Sequence, residues 1–212
     1  MSYEYEKYIS MPDKVEETID HYGVAIVRNV LDESEITNMN TGMWDYLEHV
    51  TQKFAIPMDR NEKDTWIEYL KLYPKHSMLL QQYGIGHAQY IWDIRQNPKV
   101  VNIFSELWDT KADELLTSFD GASFHFPPED THRGWYRKTW YHTDQSYFRP
   151  DFECIQSWIT GYDVDEGDAT LAFMESSNTH HKEFQDVFKI TDKSDWYRHT
   201  EEEQSFYEKK GC

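Results

Sequence analysis

Residues 140–145 read Trp140-Tyr141-His142-Thr143-Asp144-Gln145. In an extended chain successive side chains alternate, so Trp140, His142 and Asp144 project to one face. An imidazole and a carboxylate two positions apart can chelate one divalent cation. Two histidines and one carboxylate on one side of an ion make the facial triad of non-haem Fe(II) oxygenases. His-x-Asp alone is common, and its bland explanation is a histidine hydrogen-bonded to a carboxylate on a half-buried strand. The flanking sequence has to decide.

Around this hexapeptide lie other short runs rich in aromatic and β-branched residues. They are LLTSFDGASFHF (115–126), CIQSWITGY (154–162) and ATLAFM (169–174), divided by Pro, Gly and Asp. Each is read as a strand. The earlier half reads as helix: Val24–Val30 is a short strand, after which Ile36, Met39, Met43, Leu47 and Val50 recur at helical spacing with Asp32 or Ser34 as cap. A further helix follows Asn97-Pro98, with Val100, Ile103, Phe104, Leu107 and Trp108 on one face. Helical spacing returns at Phe184, Val187 and Phe188, and residues 192–210 form a charged segment whose Glu201–Glu203 run reads as a solvated face. Helices followed by strands predict an α+β domain with a mainly β core.

Composition narrows the function. The net charge is −18, from 21 basic and 39 acidic residues, which disfavours nucleic acid and anionic membrane as partners. Eight Trp, fifteen Tyr and eleven Phe argue for a folded chain. Cys154 and Cys212 make no disulfide framework, and MSYEYEKYIS has neither a basic region nor an apolar one. The expectation is a cytoplasmic protein acting on a small molecule.

In serial order these blocks resemble the phytanoyl-CoA dioxygenase-like family of Fe(II)- and 2-oxoglutarate-dependent oxygenases, from about Val24 to the mid-180s. WYHTDQS is similar to the family's W-x-H-x-D-Q stretch, and CIQSWITGYDVDEGDATLAFMESSNTHHKEF is similar to its strand, turn, strand and P-G-S-H-K segment. Ser177 and Asn178 replace the Pro and Gly of that last block, and His180 stands at its histidine. The resemblance implies a double-stranded β-helix, a cupin-like jelly roll buttressed by the N-terminal helices, as a single domain over residues 1–212. It implies Fe(II) as cofactor, 2-oxoglutarate as co-substrate and hydroxylation of a small organic substrate.

Carried over residue by residue, the resemblance makes His142 and Asp144 iron ligands. Trp158 then lines the 2-oxoglutarate pocket with Gln156 and Thr160 on its face, and Gln89, in GIGHAQY, is a polar contact to 2-oxoglutarate. His180 reads as structural, and His125 as a hydrogen-bonded core or rim histidine. Trp135, Tyr141, Tyr147 and Phe148 are candidates for keeping the pocket dry. Arg133, Arg137, Lys138 and Arg149 bracket the motif as a cluster of basic residues. The family's distal histidine and 2-oxoglutarate-binding arginine have no counterpart before Cys212, so the chain reads as shortened relative to the family. His199 is the foremost of three substitutes for the third ligand, ahead of His180 and His181. The alternative is a jelly-roll binding or scaffold domain without turnover.

Overall fold

A computed structural model describes residues 4–132 and 140–212. Its helices are Val15–Tyr22 (α1), Glu33–Thr51 (α2), Gln89–Arg95 (α3), Pro98–Leu107 (α4), Pro128–Thr131 (α5), His181–Phe188 (α6) and Glu201–Lys209 (α7). The strands are Leu79–Leu80 (β1), Ala122–Ser123 (β2), His142–Thr143 (β3) and Tyr197–Arg198 (β4). The chain divides into two compact units, one of residues 29–132 with 161–163, the other of residues 4–28, 140–160 and 164–212.

In the first unit α2 begins as its sequence demands. The Asp32 carboxylate accepts from the Ser34 and Glu35 amides, and Glu35 returns a bond to the Asp32 amide. This reciprocal cap satisfies donors that the first turn leaves free. The predicted stripe buries Leu47 completely and packs Met43 and Val50 on the core of Met58, Tyr69, Leu72, Leu80, Ile85, Phe124 and Phe126. Asn97 caps α4, with Pro98 in its first turn. β1 and β2 pair antiparallel, Leu79 opposite Ser123. Their approach requires Gly121, because a Cβ there would lie on the Leu80 carbonyl.

The second unit surrounds Tyr147, Phe184 and Tyr207. β3 and β4 pair antiparallel, His142 opposite Arg198 and Thr143 opposite Tyr197. Gly23 ends α1 with φ 79°, and a side chain there would strike Asn178. Tyr8 donates to the Glu175 carboxylate at 2.6 Å, and Lys7 pairs with the same oxygen.

Several sequence expectations change here. Val24–Val30 forms no strand, only a bridge in which Ile26 exchanges two backbone bonds with Tyr8 and Ser10. Asn29, at φ 56°, turns the chain before Val30. Residues 154–162 and 169–174 carry no strand pairing among the described residues. Alternation marks a face but supplies no partner, and an unpaired segment cannot become a sheet. Residues 192–210, read only as charged, contain both β4 and α7. Glu203 belongs to no solvated face: it is 6% exposed and accepts from the Tyr197 hydroxyl and from both the amide and hydroxyl of Thr200. No described helix is long and apolar enough to cross a membrane.

Candidate metal centre

β3 carries His142, and Asp144 follows directly after its end. His142 Nε2 stands 3.3 Å from Asp144 Oδ1. Two donors about 2.1 Å from one ion, at right angles to each other, are about 3 Å apart, so the spacing suits adjacent ligands. His142 Nδ1 faces the Trp140 carbonyl across a long 3.4 Å contact. A histidine that spends one nitrogen on a carbonyl keeps the other for a cation.

The two groups shift in opposite directions. The Asp144 carboxylate raises the His142 pKa against the opposing effect of burial. Hydrogen bonding from His142 lowers that of Asp144; burial works against this, while the Gln156 amide adds to it. Both shifts mark a pair that stabilises positive charge between its members. A group that holds a proton this way can hold a divalent ion in its place.

Aromatic rings fix the imidazole. Trp140 stacks on it at 4.9 Å between centroids and 11° between planes, and Trp196 lies against it at 5.3 Å and 33°. Trp196 arrives there because its amide donates to the Asp144 carbonyl at 3.0 Å. The preceding Asp195 carboxylate receives the Ser146 amide at 3.0 Å and pairs with Arg149. Nothing in the sequence singled out Trp196. The signal that could have found it is the Trp-Tyr dipeptide that opens both ribbon segments, at 140–141 and 196–197.

The opposite side of the ribbon is core. Tyr197 and His199 pack on Tyr147 and Phe184. The Tyr147 hydroxyl lies 2.7 Å from His199 Nε2 and 3.1 Å from the Tyr207 hydroxyl. His199 therefore spends Nε2 on this buried network and does not join His142 and Asp144. Its other nitrogen is buried without a hydrogen-bond partner among the described residues. His181 bonds the Ser146 carbonyl, and His180 the Glu183 carboxylate. No group of three His, Cys, Asp or Glu positioned for a metal occurs among the described residues.

The remaining candidates separate. Gln156 lies near enough to Asp144 to help lower its pKa, whereas Trp158 is 56% exposed and Thr160 is exposed too. Gln89 belongs to the other unit and donates to Asp93 on its own helix at 2.7 Å. Tyr147 is buried under the ribbon, while Phe148 is exposed beneath the Lys193 ammonium. His125 is exposed between buried Phe124 and Phe126. Arg149 is taken by Glu153 and Asp195. Arg133, Trp135, Arg137 and Lys138 lie outside the described residues.

Two curated proteins are similar to this chain. "Ava biosynthesis cluster protein O" of Aspergillus versicolor is 28% identical over 134 residues, which are 63% of this chain and 41% of that protein. "Putative phytanoyl-CoA dioxygenase" of Dictyostelium discoideum is 28% identical over 117 residues, 52% of this chain and 31% of that protein. The chain thus spans less than half the length of either relative. No family model and no solved structure matches it. The second relative's name points to the dioxygenase family that the motif resembles.

Proposed function

We propose that the chain is a dioxygenase-type domain dependent on Fe(II) and 2-oxoglutarate, acting on a small organic substrate, with His142 and Asp144 as two of its iron ligands. The single observation that carries this is the 3.3 Å convergence of His142 Nε2 and Asp144 Oδ1. The relative named for phytanoyl-CoA dioxygenase supports the same direction. Bound iron would supply oxygen activation. The protein's part is geometric: Asp144 and His142 present adjacent donors, Gln156 steadies the carboxylate, and the indoles of Trp140 and Trp196 hold the imidazole. A jelly roll remains the proposed architecture, and Trp158 the proposed neighbour of 2-oxoglutarate within it.

The reading is tested by adding Fe(II) and then 2-oxoglutarate to the protein without oxygen. A 2-oxo acid chelating Fe(II) gives a visible charge-transfer absorption. That band is expected in the wild type and absent in Asp144→Ala. Metal binding without the band would favour the binding or scaffold domain instead.

A further inference from the structure

We propose that Trp196 is a positioning residue for the His142–Asp144 pair, its indole bracing the imidazole so that Nε2 stays aimed at the Asp144 carboxylate; this deepens the metal reading above and rests on it. Trp196 has φ 67°, a left-handed conformation that bulky residues rarely adopt. Such strain persists only where the surroundings enforce it, and it gathers at functional sites. Here the enforcement is explicit. The Trp196 amide is held by the Asp144 carbonyl, and Asp195 is held by Ser146 and Arg149.

Burial alone does not explain the cost, because Trp196 is 42% exposed. Geometry at the imidazole does. The centroids of Trp140, His142 and Trp196 form a triangle with sides of 4.9, 5.3 and 6.3 Å. A sandwich would put the two indoles on opposite faces, roughly 10 Å apart by adding the first two sides. At 6.3 Å and 42° between planes they lie instead side by side against the imidazole. The ring edge bearing Nε2 is left facing Asp144. One backbone bond, from Trp196 to Asp144, thus ties the second indole to the segment that carries both ligands.

Trp196→Gly separates bracing from folding, since glycine accepts φ 67° without strain. Trp196→Phe restores a ring. Two readouts apply: Mn(II) affinity, followed by the paramagnetic resonance of the free ion, and the ring-proton resonances of His142, assigned by their loss in His142→Gln. Wild-type His142 protons are expected upfield, within the indole ring currents, and should move toward exposed-histidine positions in Trp196→Gly. Mn(II) affinity should fall about tenfold in Trp196→Gly, as for loss of a group that orients a ligand, and largely recover in Trp196→Phe. Unmoved His142 resonances in Trp196→Gly would overturn the proposal, whatever the metal affinity does. Wild-type protein that binds Mn(II) no better than Asp144→Ala would overturn the metal reading alone, and the resonances would still decide the role of Trp196.

Discussion

His199 and His142 lie one residue out of register across the same ribbon and face opposite chemistry. His142 is held toward its charged form by Asp144, whereas burial lowers His199 to about 4. An unfolded histidine takes its proton near pH 6.5. Between pH 6.5 and 4 the unfolded state therefore binds a proton at His199 that the folded state refuses, so stability falls as pH falls through that window. Above it the contribution is complete and flat. The loss amounts to about 3 kcal/mol. Denaturant unfolding of wild type and His199→Gln at pH 7.5, 5.5 and 4.5 should give a flatter profile for the variant. Parallel profiles would contradict this assignment. Alternation made His142 and Asp144 legible as a pair from the sequence. The opposed role of His199 was not legible, because it depends on β4 pairing with β3 and on Tyr147 lying beneath.

At the scale of elements, α7 shows how a charged run becomes structural. Thr200 caps the helix and Glu203 closes the capping box, yet Glu203, itself buried, also receives the Tyr197 hydroxyl. Thr200→Ala removes one cap and should cost about 1 kcal/mol. Glu203→Ala removes the acceptor of both the Thr200 amide and the half-buried Tyr197 hydroxyl, and should cost more, about 2 kcal/mol. Chemical denaturation of the two variants checks the order; equal costs would return Glu203 to the solvated face its sequence suggests. Long helices were readable because caps and apolar spacing act within one segment. Asp32, Asn97 and the Leu47 stripe all state their element locally. Strands were readable only as intention. Ile155 and Ile159 are half-buried and Trp158 is exposed, yet the alternation of 154–162 names no partner.

Over the whole molecule the dominant electrostatic fact is a charge of −18. That figure already counts basic partners such as Arg60, which pairs with Glu48 and Asp45, and the excess acidic charge is self-repulsion that unfolding relieves. Raising ionic strength from about 0.01 M to about 0.15 M shortens the Debye length from roughly 30 to 8 Å. The melting temperature should rise with salt over this range. A fall would show that the ion pairs outweigh the repulsion. At this scale the sequence resembled a family more clearly than it announced an architecture. The motif around His142 needs only a few neighbouring residues, whereas a jelly roll needs every strand to find its partner.

The central claim is that His142 and Asp144 hold one divalent ion between them. Calorimetric titration of Mn(II) into wild type, His142→Ala and Asp144→Ala tests it most directly. Losing a group that merely orients a ligand commonly costs 10–100-fold in affinity, so each alanine variant should lose at least about that much. Asp144→Ala that binds Mn(II) like the wild type would contradict the account.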